Sequence, residues 1–440
     1  MLNLTTFNFR FFLIASIVSL LSGLTVSFGE SISSYVSLID KVAILFAGFL
    51  VVLRFFNHQR FIPTFPVLPL VFCVLVGLVS SVFSGYFSTA TVIQVFLTFQ
   101  GFLFLYFASQ FNYKTAHFES FINALLVLGV ISCLLAIIEI LIPSTFINVF
   151  HAGKIHDEAV IRGSFKSLQS FFSHPGQFSW FLTTCIICCF CLYFKNKRLL
   201  YLILGIVFTI FLLLTLRRKS IIALVATLVT IQFFLSSGKK SSIKSYMYLF
   251  LLIFGIGFVF NDQLAFLYED AISKYGSEGS ILTNKAPRVL ISEASIKIAE
   301  DYFPLGTGFG TFGSWMSRVN YSDLYHIYGL SDYWGMTPDD NRFLTDTYWP
   351  MIIAEMGYIA AFVLFISIIG FSYSCLIKIK HINSDFRFVF AIAVALFIEL
   401  VVESFSSPAL SRSPQVFIVM GFLGMCLSYY QHNYFCKNAK

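Results

Sequence analysis

Arg217, Arg218 and Lys219 stand side by side between two long apolar runs, in the stretch TLRRKSIIAL. Three adjacent cations in such a place either anchor a helix or hold an anion. A fourth cation, Arg288, opens the stretch PRVLISEASIKIAEDYF. Pro287 suits a first helical turn, and Leu290, Ala294, Ile298 and Tyr302 recur at the four-residue spacing of one helix face. Glu293, Lys297 and Glu300 make a separate polar stripe. At the start of such a helix the free backbone N–H groups and the dipole already favour an anion.

The helix pattern stops at Pro304, before GTGFGTFG. Gly306, Gly308, Gly310 and Gly313 allow positive φ and close backbone approach, which suits either a phosphate nest or a tight turn. No strand pattern precedes them, so a dinucleotide-binding fold is a poor reading. Next comes YSDLYHIYGLSDYWGMTPDDNRF, in which Tyr333 and Trp334 stand among Asp323, Asp332, Asp339 and Asp340. Aromatic faces beside carboxylates suit a sugar, and Tyr and Trp equally suit a loop resting on a membrane interface.

The rest of the chain must position these groups, and its composition says how. Of 440 residues 58% are hydrophobic and 12% charged, with mean hydropathy +0.82. So little polar surface cannot cover a soluble globule, so an all-α polytopic membrane protein is expected. Apolar runs near the ~20 residues that span a bilayer predict helices over Phe11–Phe28, Val42–Phe56, Val67–Phe83, Thr91–Phe107, Phe121–Leu141 and Phe178–Phe194. Further helices are predicted over Leu199–Leu216, Ser220–Leu235, Tyr246–Phe260, Tyr348–Tyr373, Phe388–Phe405 and Val416–Tyr430, twelve in all. The first, lacking a small-residue cleavage site, reads as a retained signal anchor.

Five segments follow from this pattern: 1–141 with helices 1–5, a first outer loop 142–177, helices 6–9 in 178–260, a large outer loop 261–347, and helices 10–12 in 348–440. The sides come from the cations, which collect in cytoplasmic loops. With the N-terminus inside, the inner segments hold Arg54, Arg60, Lys195, Lys197, Arg198, Lys239, Lys240, Lys378 and Lys380. Lys41 and Arg412 are the lone cations of two short outer loops. The Arg217–Lys219 triplet then falls outside, against the rule. Placing it inside as an ordinary anchor would put Lys195–Arg198 or Lys239–Lys244 outside.

Glu139, Glu355, Glu399 and Glu403 fall inside predicted helices, toward their outer ends. A charged group there costs at least ~2.5 kcal/mol, so each needs a partner or water. Pairing with the outer-face arginines is expected ahead of catalysis. The nine cysteines all lie in or beside predicted helices, and no disulfide framework is visible. Cys185, Cys188, Cys189 and Cys191 read as packing residues rather than metal ligands.

The second half of the chain resembles the O-antigen ligase and polymerase-like membrane glycosyltransferases. LTLRRKSIIAL is similar to the family's Thr-x-Ser-Arg pattern, with Arg218 at the Arg position and Arg217 where Ser is usual. PRVLISEASIKIAEDYFPLGTGFGTF is similar to its Arg, helix, Pro-Leu-Gly-x-Gly-x-Gly-x-Phe pattern, which places the loop arginine at Arg288. DTYWPMIIAEMGYIAAF is similar to its His-Asn, apolar, Ala-Glu-Leu-Gly segment, with Asp346 at the His position and Glu355 and Gly357 matching. SHPGQF is similar to its His-Pro-Asn, with His174 and Pro175 matching. Asp346 in place of His is nearer the polymerases than the ligases.

This resemblance implies a glycan carried on undecaprenyl pyrophosphate at the periplasmic face of the bacterial inner membrane, among membrane lipids and beside a flippase and a chain-length regulator. Arg218 and Arg288 would clamp the pyrophosphate, assisted by Arg217 and Lys219. Asp346, or failing it Glu355, would take the acceptor hydroxyl's proton. Direct attack predicts inversion. Arginines neutralise the leaving group themselves, so no metal, other cofactor or nucleic acid is expected. The alternatives are a ligase that joins the glycan to lipid A core, attachment of glycan to protein, and a lipid-linked oligosaccharide flippase. Against the last, the two halves show no repeat.

Overall fold

The computed structural model describes residues 4–28, 35–56, 66–151, 161–162, 165–235, 287–382 and 384–435. Helices α1 (Leu4–Leu20, continuing as a 3-10 turn Leu21–Phe28), α2 (Ile39–Phe56), α3 (Val67–Phe83), α4 (Thr89–Ala108) and α5 (Thr115–Leu141) come first. A short α6 (Pro143–His151) and a two-residue hairpin, Ile161–Arg162 with Phe165–Lys166, occupy the first predicted outer loop. Then follow α7 (Pro175–Asn196), α8 (Leu199–Leu214) and α9 (Arg218–Leu235). The second loop holds α10 (Pro287–Asp301), α11 (Trp315–Val319) and α12 (Leu324–Ile327). The chain closes with α13 (Trp349–His381), α14 (Phe386–Glu403) and α15 (Gln415–Tyr430).

Among the described residues six helices are long and apolar enough to cross a membrane: α4, α5, α7, α9, α13 and the span Thr5–Thr25. The chain is thus an α-helical, multi-pass membrane protein. Helices α3 and α8 are apolar but shorter. The ninth predicted helix, Tyr246–Phe260, lies outside the described residues, as do Arg60, Lys239, Lys240 and Lys244. Helix α13 runs on to His381, past the predicted end at Tyr373, because Lys378 and Lys380 complement the negative end of its dipole.

Three helices form the centre. Most residues of α7, α14 and α15 are buried, whereas α2 and α3 present Leu, Val and Phe side chains outward and α8 presents Leu and Ile. The abundant Phe is used in packing between helices: Phe104 stacks on Phe417 at 4.6 Å and Phe121 on Phe422 at 4.9 Å. Small residues let backbones close up. A Cβ on Gly424 of α15 would lie 2.5 Å from the Leu105 carbonyl of α4. The cysteines of α7 are buried and free, and Cys185 packs its sulfur against Gly129 of α5.

The described residues before α13, from 287 on, fold around their own core. Leu290, Ile291, Ala294 and Ile298 of α10 pack with Phe312, Leu324, Tyr325, Leu330, Met336 and Leu344. This is the apolar stripe expected of α10, while Glu293, Lys297 and Glu300 face outward. The unit is seated on α13, against which α10 packs, and on α4, which α11 meets.

Candidate functional site

The expected cations converge, and Asp346 joins them. Arg288, at the first turn of α10, donates from Nη2 to Asp346 Oδ2 at 3.1 Å. The side chains are 46% and 25% exposed, so the pair faces water and a ligand can reach it. Lys219, in the first turn of α9, lies 3.8 Å from Glu403 Oε2 of α14. It is also repelled by Arg288, Arg412 and Arg217, so α9, α10 and the loop after α14 all bring cations to one place. Arg218 opens α9 beside them, half-buried.

His174 and Arg217 complete this rim. His174 caps α7, its Nδ1 accepting from Gly176 N at 2.9 Å. Its Nε2 lies 3.5 Å from Arg217 Nη2. With Nδ1 accepting, a neutral ring carries its proton on Nε2, so both facing atoms are donors that an anion can share.

Two cations reach the site without a sequence signal for it: Arg412, the lone cation of its outer loop, and Arg318, one charge in a polar stretch. Arg318 lies in α11, with Nε donating to Asn341 Oδ1 at 2.9 Å and the guanidinium over the Trp315 ring. Its pKa is lowered from the usual arginine range, first by burial and then by Arg412, while Asp346 and Asp340 pull it the other way. Asp346 therefore interacts with both Arg288 and Arg318.

Glu355 does something other than expected. It is fully buried, and its Oε1 accepts from the backbone N–H groups of Gly310, Thr311 and Phe312 at 2.8, 3.0 and 3.3 Å. Its carbonyl accepts from Gly308 N, and that of Ala354 from Thr307 N. Helix α13 is broken here: Gly357 has φ 74° and ψ 172°, which frees these carbonyls for the loop. The nest is therefore filled by the protein's own carboxylate. Gly306 N bonds Ser80 Oγ, Phe309 N bonds Ser81 Oγ and Gly313 N bonds the Tyr325 hydroxyl, so the run from Gly306 to Gly313 has no amide left over for a phosphate. The glycines serve packing instead. A Cβ on Gly306 would stand 2.4 Å from the Ala354 carbonyl, and one on Gly308, at φ +94°, 2.2 Å from Ser81 Oγ.

Of the other carboxylates inside helices, Glu403 pairs with an outer-face cation, Lys219, and all three also accept from amides or hydroxyls. Glu139 accepts from the amides of Gln169 and Ser170, the latter at 2.7 Å. Glu403 takes a hydroxyl from Ser220 at 2.7 Å besides Lys219, and Ser220 is linked in turn to Ser179. Glu399 takes one from Thr183 at 2.8 Å.

Of the aromatic pair, Trp334 is 69% exposed, with Arg342 over its ring, and Tyr333 packs against the loop core. Among the described residues no three His, Cys, Asp or Glu stand close enough to share a metal ion. No family model and no curated protein matches the chain, so the chemistry rests on the geometry above.

Proposed function

We propose that this chain is a membrane glycosyltransferase that takes its donor from a lipid-linked diphosphate, and specifically a polymerase of undecaprenyl-pyrophosphate-linked O-antigen or capsular repeat units. The observation that carries this reading is the accessible Arg288–Asp346 pair set among Arg217, Lys219, Arg318 and Arg412. A base next to several fixed cations is what transfer from a diphosphate leaving group requires.

In the proposed reaction the acceptor sugar hydroxyl attacks the anomeric carbon as the C–O bond to the diphosphate breaks. Asp346 takes the hydroxyl proton, and the bond electrons leave on the diphosphate. Arg288, Arg217, Arg218 and Lys219 face that growing charge, and a guanidinium can bind phosphate through two parallel hydrogen bonds. Attack opposite the leaving group inverts the anomeric centre. Glu355 is left to shape the loop. Trp334 offers an exposed face to a sugar.

The same reading has twelve spans, with the 261–347 segment and the Arg217–Lys219 triplet on the periplasmic face of the bacterial inner membrane. It is tested by surface-glycan gels from a deletion strain complemented with wild type, Arg288→Ala or Asp346→Ala. A polymerase leaves lipid A core bearing a single repeat unit on deletion, and the variants fail to restore the ladder while being expressed. Core without any unit, with long polymer on the carrier lipid, would show a ligase. Glycan trapped inside the cell would show a transporter.

A further inference from the structure

The far end of the loop between α14 and α15 meets α4 well along that helix. Gln100 of α4 donates to the Ser411 carbonyl at 2.9 Å, and Gly101 has Val416 packed directly on it. Gln100 is about 16 Å along α4 from its first residue, at 1.5 Å per residue. Non-helical backbone and an arginine are tolerated at such depth only where they line water or protein. By that rule the exposed Arg412 side chain lines water rather than lipid.

Higher on the same helix, Gln94 Oε1 accepts from Met316 N at 3.2 Å and seats α11, which carries Arg318. Gln94 and Gln100 are about 9 Å apart along the axis. Helix α4 is thus a spine with Arg318 and the Arg288–Asp346 pair toward its outer end and Arg412 beneath. On the opposite flank, the Ser220–Glu403 bond ties Lys219 to the end of α14, where the same loop begins. Arg412 interacts repulsively with both Lys219 and Arg318. Its guanidinium forms no ion pair among the described residues, although Lys219 has Glu403 and Arg288 has Asp346. Like charges gathered around an arginine with no ion pair among the described residues favour an anion from outside the protein.

The depth order assigns that anion. A donor reacting at Asp346 must keep its glycan outward and send its lipid toward the bilayer, so its two phosphates run inward from Asp346. We propose that Arg412 binds the lipid-proximal phosphate of a lipid-linked diphosphate, and is thereby the residue that makes this site select diphosphate over monophosphate carriers. The assignment of a lipid carrier rests on the transferase reading above, but the experiment does not need turnover.

Binding of undecaprenyl pyrophosphate and undecaprenyl phosphate to the purified full-length protein in nanodiscs is measured for wild type, Arg412→Gln and Arg412→Lys. Phosphatidylglycerol and inorganic pyrophosphate serve as competitors. Wild type is expected to prefer the diphosphate lipid by on the order of tenfold or more. Arg412→Gln brings the ratio near one by weakening the diphosphate alone, Arg412→Lys keeps part of it, and the melting temperature is unchanged. A wild type without preference, or an Arg412→Gln protein that keeps it, overturns the assignment. Equal competition by phosphatidylglycerol overturns it too, showing a general lipid-headgroup site, as does equal competition by inorganic pyrophosphate, which shows a free-anion site. A preference that depends on Arg412 in a protein that transfers no glycan sustains the assignment and refutes the transferase.

Discussion

Arg288 and Asp346 are 58 residues apart in sequence and joined by a 3.1 Å hydrogen bond between Nη2 and Oδ2. Helix α10 delivers one and the approach to α13 the other, so the fold of residues 287–348 brings the two groups together. Asp346→Asn keeps the size and one acceptor oxygen but removes the base. Loss of general-base catalysis costs ~10²–10⁴-fold in rate, and that is the expected fall in kcat for transfer from a lipid-linked donor, with donor binding largely kept. Single-turnover transfer measured beside a binding isotherm checks it.

Glu355 separates structure from chemistry. Each buried amide left without its partner costs about 1–3 kcal/mol, and Glu355 Oε1 serves three. Glu355→Ala is expected to lower the thermal midpoint sharply or prevent accumulation. Glu355→Gln retains a carbonyl oxygen for the same amides and should keep activity within about tenfold. An inactive Glu355→Gln protein with an unchanged melting curve would return Glu355 to the chemistry.

The glycine run predicts a position-dependent pattern. Gly308→Ala puts a methyl 2.2 Å from Ser81 Oγ at φ +94°, whereas Gly329→Ala, at φ +68°, meets nothing within 4 Å. The second should cost about 1 kcal/mol, the order expected for an alanine at positive φ, and the first should abolish the folded loop. Limited proteolysis of the loop distinguishes them.

Lys219 and Glu403 make an ion pair within the cation cluster. Removing one partner of a buried pair costs about 3–5 kcal/mol, and replacing both with neutral groups recovers much of it. Lys219 is a quarter exposed, so the loss for Lys219→Met should lie at or below the lower end. Lys219→Met/Glu403→Gln should restore the melting temperature without restoring transfer. Recovery of both would make the lysine a purely structural partner.

The long apolar helices among the described residues were legible because hydrophobic runs of bilayer length leave few alternatives, and the stripe on α10 because its period is local. What sequence could not show is who meets whom across the bundle. Glu355 looks like a spare carboxylate in an apolar helix, and only the fold reveals that the glycine run wraps its amides around it. That run carried both possibilities, a nest and a tight turn, and the structure makes it a nest filled from within. Arg412 was visible as a lone outer cation, but its depth beside Gln100 depends on where α14 and α15 stop relative to α4. Arg318 gave no signal beyond being one more charge in a polar loop.

The central claim is that Arg288 and Asp346 are used for chemistry, with the hydrogen bond between them incidental to it. The most direct measurement is glycan transfer from purified lipid-linked repeat units by the exchanged variant Arg288→Asp/Asp346→Arg, compared with each single variant and with wild type. The exchange keeps the ion pair and moves the cation and the base to each other's places. Transfer should stay as low as in the single variants while the melting temperature recovers. Transfer restored to within a few-fold of wild type would mean that the pair only holds the loop together, and would place the reaction elsewhere.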